Sequence, residues 1–434
     1  MIKKLVIVFI TVFAIQAHAQ TGTASPYSFY GIGSLKFKGT VENRSMGGLS
    51  IFTDSIHVNL RNPAGYAGNN LKVWNNESRP VKFTVGGSSS SLNLKSDDGS
   101  QKANSTTFDY LALAVPMGKF GMGFGLLPYS AVGYKLESST SDGNLENRYR
   151  GEGGLNKAFL GLGYQITPGL GVGVDVNYNF GNIQNSALQF GYLDGNPLQY
   201  STKENNRSDL SGMNMNFGLS YKTMVTDKLQ LTTGATYMPK STLRSDNKRA
   251  FSTVVVNPET EQEITVSSIE ADLAKNNLDR TDLTLPSQYS FGAGLGQPQK
   301  WFVGAEYTLQ NTSEFDNPIF SITNAKFVNA STIALGGFYI PQYNSFSSYW
   351  DRIVYRAGVR FENTGLEINN ETINEFGISF GVGLPVGNVF SNANIGFELG
   401  KKGTTDANLI QENFMNLQIS LSLNDRWFLK RKYN

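Results

Sequence analysis

The chain has 434 residues, of which 12% are aromatic and only 17% charged, and its formal net charge is +2. It has no cysteine, which excludes disulfides and thiolate metal sites. A nearly neutral chain also argues against nucleic acid as a partner, because that partner demands a basic patch. Histidine occurs only at His18 and His57, so a multi-histidine metal site is excluded, and we expect no metal and no cofactor.

Residues 1–19 have the pattern of a secretory signal peptide. Lys3 and Lys4 form a basic start, residues 5–15 are apolar, and Ala17-His18-Ala19 is a small-residue cleavage box. The apolar run is too short for a membrane-spanning helix. Removing the two lysines leaves 35 basic residues (37 − 2) against 35 acidic ones, so the mature chain, beginning near Gln20, is close to neutral.

Residues 20–80 precede the regular strand pattern and are rich in glycine, serine and asparagine. We predict a separate segment that folds into the lumen of a barrel as a plug or hatch, or lies at its periplasmic mouth. Asn62-Pro63 is a turn starter, and Gly47-Gly48 permits positive φ. Local turn chemistry alone is equally consistent with simple loop-forming residues.

Residues 81–434 repeat a two-residue alternation, most clearly in the last predicted strand. Met415, Leu417 and Ile419 alternate there with Asn416 and Gln418. Side chains on a strand point to opposite faces, so one face is apolar and the other polar. The pattern recurs about fourteen times without an intervening helix. We therefore predict an all-β fold, a transmembrane antiparallel β-barrel of about 14 strands with an N-terminal plug. The predicted strands are 81–85, 108–115, 120–126, 158–164, 172–180, 213–221, 229–237, 289–295, 303–309, 333–339, 353–361, 376–382, 393–399 and 414–424.

The predicted connections alternate between short and long. The short turns are 116–119, 167–169, 223–228, 297–300 and 385–388, with a somewhat longer one at 341–349. The long loops are 95–103, 132–153, 181–206, 241–285, 311–324, 363–372 and 401–412. Outer-membrane barrels have short periplasmic turns, longer outer loops and an even strand number. We therefore expect location in the cell outer membrane with both mature termini periplasmic.

Seven charged residues fall on the polar faces of predicted strands. An Arg or Lys facing lipid at the bilayer midplane costs about 2–4 kcal/mol, so these side chains should face the lumen. We expect them to pair across the interior or with the plug, and a solute-selective ring is the alternative. The seven residues are Asp175, Lys222, Glu306, Arg352, Arg356, Arg360 and Glu398.

The sequence does not favour an enzyme, and we assign no catalytic residue. His57 is the one mature histidine that would serve as a base, as in an outer-membrane lipase, but no residue set with matched spacing supports a triad. The Gly-x-Gly repeats, such as Gly121–Gly125, lack the following helix that a nucleotide site requires. Alternate glycines instead leave one strand face bare for a neighbouring backbone.

The N-terminal motifs resemble those of the FadL-type (OmpP/long-chain fatty acid transporter) family of outer-membrane barrels. The motif residues are Arg44, Met46, Gly47, Gly48, Asp54, Asn62, Pro63, Ala64 and Gly65. Ser25–Ser28 with Gly31–Gly33, and the ending at 424–428, resemble the Bacteroidota branch of that family. The resemblance implies a fourteen-stranded barrel plugged by an N-terminal hatch. Its transporters take up long-chain fatty acids or aromatic hydrocarbons passively, through hatch movement and a lateral opening, and other members are subunits of protein-export machines.

Two functional hypotheses follow. The first is passive uptake of hydrophobic compounds. It needs an apolar cavity between hatch and wall, lined by Phe108, Leu111 and Leu113 of the second strand, which is apolar on both faces. The alternative is a non-enzymatic accessory subunit of an outer-membrane secretion or barrel-assembly complex, with a lumen blocked by polar contacts and an ordered surface from loops such as 241–285. Outer-membrane lipid is an expected partner in both hypotheses, a hydrophobic small molecule in the first and other envelope proteins in the second.

Overall fold

The computed structural model describes residues 22–425, except 55, 68–79, 98, 141, 194, 258–259, 318–323 and 387–390. The predicted signal peptide and residues 426–434, which include part of the Bacteroidota-like ending, lie outside the described residues. Part of the predicted turn 385–388 does so too.

Fourteen antiparallel strands form a closed barrel, which confirms the predicted all-β architecture. The first strand pairs with the last, from Val81 opposite Asp425 to Lys95 opposite Gln411, and this closure leaves the barrel without an open edge there. The strands are β1 Val81–Ser96, β2 Gly99–Met117, β3 Phe120–Ser139, β4 Leu145–Gln165, β5 Leu170–Gln189, β6 Ser201–Met224, β7 Gln230–Met238 continuing as Ser241–Val256, β8 Arg280–Leu285 continuing as Gln288–Gln297, β9 Trp301–Gln310, β10 Ala330–Tyr339, β11 Val354–Ile368, β12 Glu371–Val386, β13 Ser391–Lys402 and β14 Gln411–Asp425.

The two faces of the wall differ as the sequence alternation predicts. On β14, Met415 is 52% exposed while Gln418 is 1% exposed. Phe397 and Glu398 on β13 show the same contrast. Because the exposed face is apolar and the buried face polar, the barrel is the reverse of a soluble protein and suits a lipid surround.

The remaining elements are short. The α-helix α1 is Val41–Arg44, and no described helix is both long and apolar enough to cross a membrane. The 3₁₀ helices are Pro26–Phe29, Pro63–Tyr66, Leu273–Asn276, Thr312–Glu314, Trp350–Arg352 and Asp406–Asn408. The short strands outside the barrel are Ser34–Leu35, Tyr192–Leu193, Asn196–Pro197, Glu263–Glu270 and Ala325–Phe327.

Several predicted long loops are mostly strand, which corrects their predicted bounds. The predicted loop 132–153 consists largely of the ends of β3 and β4, and β7 runs on to Val256. Glu263–Glu270 then pairs with the end of β7. Outside the membrane both faces of a strand are exposed to water, so neither face needs to be apolar. The backbone pairing therefore continues where the hydrophobic alternation has stopped. We call the end of the barrel where β3, β4 and β7 extend the long-strand end. The opposite end, which has turns such as 118–119, is the short-turn end.

A β-bulge in β2 corrects the predicted ligand lining. Gly87 lies opposite Phe108 and Gly86 opposite Tyr110, so Asp109 is the extra residue. The bulge puts both Phe108 and Leu111 on the outer face, 41% and 40% exposed, while Tyr110 is fully buried inside. Leu113 follows Leu111 on the outer face by alternation. The three predicted lining residues therefore do not face the lumen, and the two-sided apolar pattern reflects the change of phase at the bulge.

The wall opens between β2 and β3 towards the long-strand end. These strands pair only where residues 111–117 lie opposite residues 120–126. Beyond that stretch, in the part of the chain that the structure describes, β2 pairs with β1 and β3 with β4. A second bulge lies at Tyr129, just after Pro128. The short strand Ser34–Leu35 pairs with Ala131 and Ser130, so the N-terminal residues cover part of the gap.

A charged side chain on the outward face of a barrel strand should destabilise the protein in lipid. Phe397→Arg places a cation on the lipid face of β13 and should lower the free energy of unfolding by about 2–4 kcal/mol if it lies near the midplane. Ile264→Arg, on the exposed strand Glu263–Glu270, should change it little. Urea unfolding in lipid vesicles measures both, and equal effects would contradict the assignment of the faces.

Candidate functional site inside the barrel

The N-terminal segment, which we define as residues 22–67, lies against the inner face of the barrel. Its helix α1 contacts β12, β13 and β14, and its 3₁₀ helix Pro63–Tyr66 contacts β2 to β6. Asn43 Oδ1 accepts a hydrogen bond from Thr40 N at 3.2 Å, and Asn62 Oδ1 accepts one from Ala64 N at 3.0 Å. These side chains satisfy backbone groups at the two helix starts, so the segment keeps a defined shape with little regular structure.

The Met46-Gly47-Gly48 motif lies directly against the wall. Gly47 has a φ of +71° and donates a hydrogen bond from its N to Ser379 Oγ at 2.9 Å. A Cβ on Gly358 of β11 would lie 2.2 Å from the carbonyl carbon of Met46. The bare strand face there is therefore occupied by the backbone of the N-terminal segment, and not by a nucleotide.

Glu306 on β9 forms the first polar junction between wall and segment. Its carboxylate accepts hydrogen bonds from Ser50 N at 2.6 Å and from Ser290 Oγ at 2.9 Å. Arg61 Nη2 lies 3.0 Å from Glu306 Oε1. Glu306 is buried, so its charge depends on these donors for the stabilisation that water would otherwise provide.

A second junction contains several ion pairs. Arg360 of β11 pairs with Glu375 and, at 2.8 Å, with Glu398. Glu375 also lies 2.7 Å from Lys38 Nζ. Burial disfavours the charge of Lys38, but its carboxylate neighbours raise the pKa of this lysine overall.

Arg44, the first residue of the predicted motif, extends this network. Its guanidinium lies 3.2 Å from Asp109 and 3.5 Å from Glu398. Asp109 is the bulge residue of β2, and it also accepts hydrogen bonds from Ser88 and Thr107. The network therefore connects the segment to β2, β11, β12 and β13.

The other predicted lumen charges also meet the segment or one another. Lys222 donates to the carbonyl oxygen of Thr53, and Arg356 donates to Asn394 Oδ1 at 3.1 Å. Asp175 accepts from Asn216 at 3.4 Å. The structure thus places six of the seven charges on the inner face. Arg352 is the exception, because it is exposed in the 3₁₀ helix Trp350–Arg352 before β11 begins.

His57 sits between two carboxylates. Its Nδ1 lies 2.7 Å from Asp54 Oδ2, and its Nε2 lies 3.6 Å from Glu42 Oε1. Burial would raise the pKa of Asp54, but His57 and Lys82 together hold that pKa well below its usual range. No serine or threonine hydroxyl of a described residue hydrogen-bonds to His57, so no nucleophile–base pair is formed at this histidine.

A cavity of about 710 Å³ lies at the short-turn end, between the segment and the wall. Phe52 of the segment packs against Phe302 in a tilted arrangement and against Phe338 edge to face, with ring centroids 4.9 Å and 4.8 Å away. Trp301, Tyr221 and Tyr343 also line the cavity. Sequence reasoning missed these residues, because Phe302 and Phe338 break the polar pattern of the inner face. The alternation was the available signal, because Phe302 precedes the outward Val303 and pairs with Phe338 on the neighbouring strand.

Breaking the Glu306 junction should loosen the segment. Glu306→Ala leaves Arg61 and Ser50 without their buried acceptor, so the free energy of unfolding should fall by about 3–5 kcal/mol. Trypsin should then cleave the folded barrel at Arg61. The matched control is Asp246→Ala, which removes the exposed carboxylate that pairs with Arg244 and Arg280. This control should leave both measurements unchanged, and trypsin resistance in Glu306→Ala would contradict the role of the junction.

Comparison with solved structures finds barrels of the same fold at low identity. The Pseudomonas putida toluene transporter TodX is 16% identical, with a TM-score of 0.57 over 91% of this chain and 99% of its own. A Pseudomonas aeruginosa FadL homologue is 13% identical, with a TM-score of 0.55 over 90% and 99%. The CymD monoaromatic hydrocarbon channel is 14% identical, with a TM-score of 0.54 over 88% and 97%.

These similarities show a FadL-like fold, which supports an outer-membrane location. Comparison with curated proteins gives no match. The model of one protein family, BamG, matches residues 1–434, which is the whole chain. The chain therefore belongs to the BamG family.

Proposed function

We propose that this protein is a non-enzymatic accessory subunit of an outer-membrane protein complex, of the barrel-assembly type. The observation that carries the proposal is the paired polar network that holds the N-terminal segment in the lumen. The family name BamG is consistent with a barrel-assembly role. We also propose that the segment is a fixed plug, that both mature termini are periplasmic, and that the chain belongs to a Bacteroidota branch.

The energetics favour a plug that stays in place. Removing one partner of a buried ion pair costs about 3–5 kcal/mol. Moving the segment would separate Glu306 from Arg61, and Arg44 from Asp109 and Glu398, at the same time. The second strand, which would have lined an apolar passage, directs Phe108 and Leu111 to the lipid face instead. A barrel with this interior is better suited to a constant shape than to repeated opening.

The long-strand end offers an ordered surface for a partner. β6 and β7 extend beyond the lipid-facing part of the barrel. Glu263 forms ion pairs there with Lys203 at 2.6 Å and with Arg150 at 3.4 Å. The strand Glu263–Glu270 exposes Ile264 and Ile269, and no described strand pairs with its second edge. Exposed apolar side chains beside a free strand edge are suited to protein contacts.

Gentle detergent extraction from native membranes tests the proposal. A tagged chain should co-purify with other envelope proteins at fixed ratio, as measured by quantitative mass spectrometry. Replacing residues 252–268 by a short Gly-Ser turn should lower the recovered amount of a partner at least tenfold if that partner contacts the long-strand end. Shortening the turn around Asp406–Asn408 is the matched control. Recovery of the barrel alone from every mild detergent would contradict the proposal.

The second candidate function is passive uptake of hydrophobic compounds. The aromatic cavity at the short-turn end favours it, because Phe52, Phe302 and Phe338 form an apolar wall between segment and barrel. The similar structures include a toluene transporter and a FadL homologue, and long-chain fatty acids or aromatic hydrocarbons are the proposed substrates.

Uptake of labelled toluene and of labelled oleate by cells tests this second function. Phe338→Asp puts a charge into the aromatic cavity and should lower uptake at least tenfold if the cavity lies on the route. Phe397→Ala changes the outer face and should leave uptake unchanged. Equal uptake in cells with and without the protein would exclude the transport of these compounds.

A further inference from the structure

The strand Glu263–Glu270 lies at an open edge of the sheet at the long-strand end. It pairs with residues 250–256 of β7 and with no other strand that the structure describes. Residues 264–270 are all exposed. The described part of the chain therefore leaves the second edge of this strand and much of its two faces uncovered.

The hydrogen bonds at the two ends of this pairing show which backbone groups face the open edge. Ala271 N donates to Arg249 O at 2.9 Å, and Asn257 N donates to Gln262 O at 2.9 Å. In an antiparallel pair, residues bonded to the neighbouring strand alternate with residues whose N–H and C=O face away from it. Counting from both ends, with a bulge at Val266 between them, places the N–H and C=O of four residues at the open edge. These residues are Glu263, Thr265, Ser268 and Glu270.

This edge has little protection against the addition of another strand. Natural sheets protect their edges with lysine, proline or bulges, or cover them with a loop. Residues 263–270 include no lysine and no proline, and the bulge at Val266 leaves the edge exposed. Ile264 and Ile269 are 59% and 71% exposed, and Ile269 lies opposite the exposed Phe251. An added strand would bond to the edge and cover these apolar side chains.

The direction of the strand argues against a second copy of this chain as the partner. Barrel strands tilt by about 35–45° from the barrel axis, so a strand paired with β7 runs up or down relative to the membrane. Two copies in one membrane are related by rotation about the membrane normal, which preserves that direction, so their edge strands would run parallel. Under two-fold symmetry the N–H groups of one copy would then face the N–H groups of the other, and no ladder would form.

Glu270 adds a charge requirement for the partner. It is exposed and forms no ion pair with a residue that the structure describes, whereas Glu263 is paired with Lys203 and Arg150. Residues 259–272 include five acidic residues and no basic one. Opposite charges directly across a strand pair stabilise it. A strand with a lysine or arginine opposite Glu270 therefore fits this edge.

We propose that the strand Glu263–Glu270 receives a strand from a different envelope protein, with alternating apolar side chains and a cationic side chain opposite Glu270. With the mature termini periplasmic, the long-strand end faces the cell exterior, so the partner has a segment on the outer side of the membrane. This proposal rests on the accessory-subunit function, to which it adds the mode of contact and the chemistry of the partner.

Photo-cross-linking in intact cells tests the proposal. The chain has no cysteine, so Thr265→Cys provides a single site for a benzophenone maleimide. It should cross-link to one other envelope protein, and mass spectrometry should map the attachment to a strand-forming segment that contains lysine or arginine. Asp406→Cys, in an exposed turn between β13 and β14, is the matched control and should not cross-link to that protein.

Proline at the open edge separates strand addition from other contacts. Ser268→Pro, introduced beside Thr265→Cys, removes an N–H that faces the partner and should lower the cross-linking yield at least tenfold. It removes no backbone hydrogen bond to β7, so the melting temperature of the barrel should stay unchanged. Ser268→Ala keeps the N–H and should keep the yield, and Glu270→Lys should lower it.

The outcomes distinguish this inference from the proposed function. Equal cross-linking with and without Ser268→Pro would overturn strand addition, even if an envelope protein still co-purifies at fixed ratio. Cross-linking to a second copy of this chain would overturn the choice of partner, and an unchanged yield in Glu270→Lys would overturn the charge requirement. No cross-link, together with recovery of the barrel alone, would contradict both the inference and the proposed function.

Discussion

The polar inner face of the barrel has to be matched by the groups that fill it. Glu306, Arg360 and Glu398 are buried charges in a lumen that the N-terminal segment occupies, so each depends on a partner close by. Ser50 and Arg61 of the segment partner Glu306, Arg44 of the segment partners Glu398, and Arg360 pairs with Glu375 and Glu398 within the wall. The segment in turn has little regular structure of its own, and the wall satisfies many of its polar groups. Wall and segment therefore satisfy one another's polar groups.

The space left between the segment and the wall has a different lining at each end of the barrel. At the short-turn end, Phe52 meets Phe302 and Phe338, and these rings form the apolar part of the space that remains. Towards the long-strand end, the space beside Lys36 is lined by hydroxyls and charges. The gap between β2 and β3 adjoins the polar space. A FadL-like fold here therefore encloses an interior that is organised around paired charges.

The barrel could be predicted from the sequence because lipid imposes a strict two-residue alternation. Each of the fourteen predicted strands overlaps a barrel strand, and the charges at Asp175, Lys222 and Glu306 face inward as the cost of lipid exposure requires. The alternation ends where the strands leave the lipid. The extensions of β3, β4 and β7 were therefore predicted as loops.

The interior contacts could not be predicted in the same way. A single extra residue at Asp109 changes the phase of β2, so Phe108 and Leu111 both point outward. The pairing of Ser50 with Glu306 joins residues 256 positions apart, and no local pattern encodes it. The aromatic cavity depends likewise on Phe52, Phe302 and Phe338 meeting in space. Motif residues such as Gly47 were visible in the sequence, but their partners were not.

Hydrogen–deuterium exchange of the purified barrel in lipid nanodiscs tests the central claim most directly. If the N-terminal segment is a fixed plug, the hydrogen-bonded amides of Gly47, Ser50 and Ala64 should exchange as slowly as those of β9 and β12. Their exchange should require unfolding of the whole barrel. Rapid exchange of these three amides from an intact barrel would show that the segment opens independently, and would contradict the account.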